Sequence, residues 1–525
     1  MLKTSRRDLL KGIAAAGVFG ALPGGLAHAA DAAGRPDLRI GANGLPRSLE
    51  PINGIGNTGI RILNQLYDTL IVRDFFHDGA AGDATALVPG LAERWERLDD
   101  RTVRFTLRQG VLFHNGVEMT ADDVAFSFSS ERLWGDAALK GVPNGRAFSP
   151  DFDEPVVESR YSVLIKTKTP SYLIEKFMAS WVGRVVPRDY YRQLGAEGFG
   201  NAPVGTGPYK LAEFRPNDRV VIEAFDGYWG AKPTAARIIF QSVPEPATRV
   251  AGLISGEYDI VTTLTPDDMA MIQRFPNFET RGMNIENFQM FVFNMNQPIF
   301  KDNTLRRAMA LAVNRPLLNQ SLWHDMASLP RGFNFPHYGA TYDPNRDFFR
   351  YDPAAARDLV KQSGYDGREL TYLTFGNYYA NAVPAMMMMI EMWRDIGVKV
   401  VPLNVAQGST VPNEQVYLRN WSNGMSLTDA ATTLVTEFGP GRQVQTRHGW
   451  QAPAEFNELA LKVMQIQDGP ERSAAFSRMR DIFEAESPAV PLYRPFDVYA
   501  ARKDVIWHPV SFEMMELRAN NLKFA

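Results

Sequence analysis

Thr102-Val103-Arg104-Phe105-Thr106-Leu107, then Arg108-Gln109-Gly110, then Val111-Leu112-Phe113-His114-Asn115-Gly116-Val117-Glu118-Met119-Thr120-Ala121-Asp122-Asp123-Val124, is the stretch on which the fold turns. Apolar and polar residues alternate over Thr102 to Leu107, which predicts a half-buried strand. Arg108 to Gly110 is a turn, and Val111 to Phe113 resumes the extended run. Thr120-Ala121-Asp122-Asp123 is a capping box in acidic form, in which the Thr120 oxygen accepts from the Asp123 amide and the Asp123 carboxylate returns to Thr120. It predicts a helix over Val124 to Leu133.

The same grammar extends in both directions. Strands are expected at Leu38 to Ala42, Tyr161 to Thr167, Val220 to Ala224 and Val398 to Leu403. Helices are expected over Ile60 to Ile71, after Thr265-Pro266-Asp267-Asp268, over Asp302 to Leu318, from Asp352-Pro353 to Gly364, and over Pro384 to Ile396. Strands and helices interleave without strict alternation, so the chain reads as mixed α/β.

The first thirty residues say where this fold works. Ser5-Arg6-Arg7-Asp8-Leu9-Leu10-Lys11 sets an arginine pair before the apolar run Ile13 to Leu22, and Ala27-His28-Ala29 offers small residues for cleavage. This is the layout of a bacterial export signal of twin-arginine type, cut near Ala29, so the mature protein is expected in the periplasm. A membrane anchor is disfavoured because Gly12, Gly17, Gly20, Pro23, Gly24 and Gly25 interrupt the run, and about 20 continuous apolar residues are needed to span.

Roughly 490 residues remain, more than the ~250–300 that one core serves, so two or more domains are expected. The formal charge of -3 includes a signal carrying four cations and one acid, leaving the mature chain near -6. That balance argues against binding to nucleic acid or anionic lipid. With no cysteine, disulfides, thiolate zinc sites, iron–sulfur clusters and a thiol nucleophile are excluded, as is a lipid-modified cysteine at the cleavage point.

Catalytic patterns are lacking. His77, His114, His324, His337, His448 and His508 show no zinc-binding spacing, and no G-x-S-x-G or S-x-x-K element occurs. The acid pairs Asp122-Asp123 and Asp267-Asp268 are explained as helix caps. Gly54-Ile55-Gly56-Asn57-Thr58-Gly59 matches the dinucleotide pattern G-x-G-x-x-G, but Pro46 and Pro51 separate it from the preceding strand, so nucleotide binding is disfavoured. What stays is a glycine-rich loop entering a helix. Met386 to Met389 cover all faces of a helix and predict packing rather than one soft-metal patch, with one of the four left open as a ligand contact. No metal, no cofactor and no enzymatic activity are expected.

Several blocks resemble the extracellular solute-binding proteins of ABC importers, in the large dipeptide- and oligopeptide-binding class, family 5. They are Leu91-Ala92-Glu93-Arg94-Trp95 with the stretch from Asp99 to Val124; Gly205-Thr206-Gly207-Pro208-Tyr209-Lys210 with Tyr228-Trp229-Gly230-Ala231-Lys232-Pro233; Ile254-Ser255-Gly256-Glu257-Tyr258-Asp259-Ile260; Phe293-Asn294-Met295-Asn296 with Ala312-Val313-Asn314-Arg315; and Tyr351-Asp352-Pro353 with Gly364-Tyr365. The resemblance implies a two-lobed periplasmic binding protein, type II and of the large cluster C class, with two chain crossovers. One lobe would span 30–283 plus 487–525, with an extra subdomain at about 70–163, and the other 284–486. A peptide or peptide-like ligand would bind in the cleft by hinge closure and pass to the permease subunits in the inner membrane, with a monomer expected.

Cleft candidates follow from the resemblance and from loop placement. Asn43 and Asn57 lie in the loop leaving the first strand. Phe375, Asn377 and Tyr378 follow a strand of the second lobe. Trp421 and Asn423 occupy the segment where the family has a tryptophan, and Asp429 stands where an acid often holds a ligand amine, with a helix cap as its other reading. Arg442 and Arg447 are candidate carboxylate anchors. Dipeptide binders carry an arginine near Gly376, whereas this chain has no arginine or lysine between Arg368 and Arg394, so strict dipeptide specificity is not expected. A receptor for an opine, nickel or haem, or another small solute in the same fold is the alternative, and a two-lobed secreted hydrolase a more distant one.

Overall fold

The computed structural model describes residues 34–76, 86–143, 145, 151–376, 379–406, 409–424, 427, 429–512 and 514–525. The export segment, residues 1–29, lies outside them. Two sheets organise the chain. The first has seven strands, in the order Phe278–Asn284, Phe496–Arg502, Ile260–Leu264, Leu38–Ala42, Arg237–Ser242, Arg219–Ala224 and Tyr209–Arg215. Leu38–Ala42 is its centre, parallel to both neighbours, with Leu38 opposite Ile238 and Ile40 opposite Ile260. The second has five strands: Val400–Val405, Leu370–Phe375, Leu418–Asn423, Phe288–Phe293 and Ala489–Tyr493. Each sheet has its own buried core, one built around Ile40, Phe105 and Ile238, the other around Phe291, Phe333 and Trp393. Separate cores make separate lobes.

A four-stranded antiparallel sheet, Ala92–Arg97, Thr102–Leu107, Ser162–Lys166 and Val156–Ser159, packs its apolar face into the first core. The Thr120 capping box forms as its sequence requires, starting a helix at Ala121. That helix ends at Ser127 rather than Leu133, because Ser129 turns extended and its hydroxyl caps a new turn over Ser130–Trp134. The long helix expected over Asp302 to Leu318 is likewise two, Thr304–Leu311 and Arg315–Trp323. Asn314 accepts from the Leu317 amide at 3.0 Å and Pro316 sits in the first turn, where its absent N–H is not needed. The first helix runs Asn57–Leu66 and stops where Tyr67 goes extended, burying its ring and donating its hydroxyl to the Leu49 carbonyl at 2.9 Å. Met386 and Met389 are buried in the second core and Met387 faces solvent, so this run fills space.

The chain crosses between lobes twice. It leaves at Ile285–Asn287 and returns at Arg494–Pro495, since Ala489–Tyr493 is bonded into the five-stranded sheet beside Phe288–Phe293. The return is therefore later than the boundary expected at 486, because a strand that pairs within a sheet belongs to that lobe. The two crossings lie side by side: Arg494 Nε donates to the Ile285 carbonyl at 2.8 Å. Glu286 is anchored by two bonds from Arg73 Nη2, at 2.8 and 3.0 Å.

Candidate functional site

The wall contributed by the first lobe is the loop that leaves the Leu38–Ala42 strand. Glu50 holds it from inside. One carboxylate oxygen accepts from the Ile52 and Asn53 amides at 2.7 and 2.8 Å, and the other accepts from Arg132 Nη2 at 2.6 Å, with both side chains fully buried. The glycines serve this folding. A Cβ on Gly59 would lie 1.9 Å from the Gly54 carbonyl oxygen, so the loop closes on the helix start only with glycine there. That contact accounts for the glycine pattern without a nucleotide. Below the loop, buried Arg61 donates to Asn43 Oδ1 at 3.3 Å and Thr262 Oγ1 at 3.0 Å, and sits 3.7 Å from Asp497. Thr263, at φ 56°, is strained for a β-branched residue and directs its hydroxyl to Asn43 Oδ1 at 3.2 Å.

The opposing wall is the strand Leu418–Asn423. Alternation puts Arg419 and Trp421 on one face, with the guanidinium 4.8 Å from the indole centroid. His448 meets Trp421 edge-on at 5.6 Å, and burial together with Arg419 and Arg447 presses its imidazole down to about 3, so it stays neutral. Tyr379 and Ser422 share a hydroxyl hydrogen bond of 2.8 Å. Between this wall and the glycine loop lies a cavity of about 470 Å³, lined by Phe375, Tyr379, Arg419, Trp421, Gly54 and Gly56 among others. Burial, with help from Arg447, lowers the Arg419 guanidinium to about 10. Its Nε and both polar side-chain atoms of Asn420 meet no hydrogen-bond partner among the described residues. A desolvated guanidinium facing an open cavity is a ready partner for a carboxylate.

A separate, smaller cavity of about 170 Å³ lies beside Asn57, lined by Ile55, Trp181, Asn287, Ser422, Gly424 and Glu437 among others. Burial raises the Glu437 carboxyl to about 7, only partly offset by Arg442. The two cavities thus differ in their ionisable groups: a guanidinium on one, and on the other a carboxyl that ionises near pH 7.

Among the residues expected from sequence, Asn57, Phe375, Trp421 and Asn423 line these cavities, and Asn43 lines a narrow one that shares Tyr379 with the larger and Asn57 with the smaller. Asn43 Oδ1 is taken by Arg61 and Thr263, and the Asn423 amide is turned to the Thr433 carbonyl at 2.5 Å. Asn377 and Tyr378 lie outside the described residues. Arg442 is half-buried, with its charge directed at Glu437, and Arg447 is exposed; the cation on the cavity wall is Arg419 instead.

Asp429 requires a correction. It is 4% exposed, and Arg472 grips both its oxygens at 2.7 and 2.8 Å while Lys176 Nζ adds a bond of 2.7 Å. Burial pushes this carboxyl up, but Arg472 and Lys176 outweigh it and hold the group below its ordinary value. With its oxygens so occupied, Asp429 does not serve a ligand amine. Lys176 belongs to the first lobe and Asp429 and Arg472 to the second, so the cluster ties the lobes together. Arg419 and Glu437 escaped sequence reasoning, although each left a signal: an arginine two residues from a tryptophan on one strand, and an acid within the apolar run Leu434 to Phe438.

The sequence matches the model of the bacterial extracellular solute-binding proteins, family 5, over residues 86–441. The chain belongs to that family. Among relatives of this family-5 protein, the peptide transport periplasmic protein SapA of Salmonella typhimurium is 26% identical over 473 residues, covering 84% of this chain and 83% of SapA. Among solved structures, a dipeptide-binding protein from Pseudoalteromonas sp. SM9913 in complex with Met-Leu superposes with a TM-score of 0.84 at 21% identity, covering 93% of this chain and all (100%) of that one. The periplasmic binding protein DppA from Helicobacter pylori, in complex with the peptide STSA, gives 0.83 at 20% identity, covering 93% and 98%. The family-5 protein thus has the two-lobed periplasmic binding fold.

Proposed function

We propose that the protein is the periplasmic receptor of an ABC importer, capturing short peptides with free termini by hinge closure and handing them unaltered to the membrane permease. The observation that carries this reading is the placing of a guanidinium, Arg419, and of a carboxyl that ionises near pH 7, Glu437, on two interlobe cavities along one strand. A peptide places a carboxylate on the first and an ammonium on the second. From Arg419 to Gly424 the strand covers about 16 Å at ~3.3 Å per residue, and both charged side chains reach inward, which suits a peptide of a few residues. Trp421, Phe375 and Tyr379 cover its side chains.

The sequence lacks a cation between Arg368 and Arg394, and the fold makes this good: Arg419 pairs in register with Leu373, on the strand that ends at Phe375. The periplasmic relatives support export, the segment Ser5 to Lys11 suits the twin-arginine route, and on this reading the receptor acts as a monomer.

Calorimetry with paired tripeptides tests the reading. Amidating the C-terminus removes the charge that Arg419 meets and weakens binding at least tenfold, about 1.4 kcal/mol. In the Arg419→Met variant the two forms bind alike. Equal affinity for free and amidated peptides in the unaltered protein overturns the assignment.

A further inference from the structure

The wall formed by Ile60, Trp181 and Phe512 has cavities on both sides. One is the 170 Å³ space beside Glu437; the other is a cavity of about 310 Å³ inside the first lobe. The larger cavity is roofed by the two-stranded hairpin Ile71–Arg73 and Leu87–Pro89. Val72, Phe75, Phe76, Val88, Ala179 and Met514 give it apolar walls. Its charged groups turn to partners within the protein: Arg184 donates to the Pro51 carbonyl at 3.3 Å, and Glu516 lies 3.4 Å from Arg518. Asp68 accepts from Arg518 at 2.6 Å and from the Trp229 indole at 2.8 Å, and Arg73 is held by Glu286. Phe512 is braced from two sides, 5.8 Å from the Trp181 ring and 5.5 Å from the Arg73 guanidinium. A space at the lower end of the size range of small-molecule pockets, lined by rings and by polar groups engaged elsewhere in the protein, lowers the free energy of an apolar guest.

We infer that this cavity is a second ligand subsite, taking the aromatic or branched aliphatic side chain of the peptide residue whose ammonium sits at Glu437, with the Trp181–Phe512 pair as its threshold. The inference rests on the peptide reading above. It makes the receptor selective at the peptide N-terminus, for bulky apolar residues.

The test is calorimetry with Phe-Ala-Ala and Ala-Ala-Ala, both with free termini. The expected result is at least about tenfold tighter binding of the phenylalanine peptide, the scale set by burying one aromatic side chain. Filling the cavity with Val88→Phe, or removing the threshold ring with Phe512→Ala, brings the ratio toward one. Equal affinities in the unaltered protein overturn the subsite and leave the peptide reading standing. A ratio unchanged in both variants overturns the assignment to this cavity. If neither peptide binds, nor any member of a tripeptide library, the peptide reading fails and the subsite with it.

Discussion

Lys176→Met isolates one charged contact between the lobes. Lys176 Nζ lies 2.7 Å from Asp429 Oδ2 and 3.2 Å from Asp468 Oδ2. The Asp468 side chain is 69% exposed, so its share is small. The Asp429 side chain is 1% exposed, and a charge-assisted bond to such a group contributes about 1.5–3 kcal/mol. Removing the lysine does not orphan Asp429, which keeps both bonds from Arg472. The loss is therefore confined to the closed state, because in an open cleft water solvates both partners. Ligand affinity falls about ten- to hundredfold, while the unfolding midpoint of the ligand-free protein stays close to that of the unaltered chain. Asp429→Ala behaves differently: Arg472 then loses its buried acceptor, and the second lobe is destabilised by about 3–5 kcal/mol. Calorimetry for affinity, small-angle scattering for closure and chemical denaturation for stability separate the two effects. If Lys176→Met binds ligand as tightly as the unaltered protein, the bridge plays no part in closure and this reasoning fails.

Other expectations can be checked with the same material. Because burial lifts the Glu437 carboxyl from 4.5 to about 7, the free protein holds a proton there that the unfolded chain has lost. The stability this gives is fully present below about pH 4.5 and is lost as pH rises through about 7. Ammonium binding runs the other way, since it needs the ionised form: peptide affinity drops about tenfold from pH 8 to pH 6, and Glu437→Gln flattens that profile. A steep profile surviving in Glu437→Gln would place the titrating group elsewhere. Arg132→Met leaves Glu50 as a buried carboxylate without its cation and lowers stability by about 3–5 kcal/mol in urea unfolding, with weaker peptide binding because Glu50 shapes the glycine loop. A shift below about 1 kcal/mol would show that the backbone amides and the Tyr191 hydroxyl, 3.3 Å away, suffice to hold that carboxylate.

Local order was readable wherever the sequence carries its own instruction. The capping boxes at Thr120 and Thr265 form with both reciprocal bonds, since their partners are three residues apart. Asp352 caps the helix that follows it, and Gly364 leaves that helix at φ 69°. Helix length was less readable. Nothing in hydrophobic spacing says that Ser129 or Asn314 will stop one helix and start another, because that choice depends on what the next turn packs against. The site was half readable. Loop position led to Asn57 and Phe375, and the tryptophan to the strand Leu418–Asn423. Charge assignment went astray at Asp429 because its partners, Lys176 and Arg472, come from opposite lobes and only the assembled fold brings them together. For the same reason Arg419 was overlooked: its fitness comes from finding no acid nearby, a property no local pattern displays.

The adjacency of the two crossings at Ile285 and Arg494 has a mechanical consequence. Two strands of backbone tied side by side, with Glu286 riveted to Arg73 of the first lobe, resist shear yet still permit rotation about a single line. The lobes then have one coordinate, an angle. On the receptor reading proposed above, a permease docking across both lobes need measure nothing else to sense that the cleft is shut, whatever solute fills it.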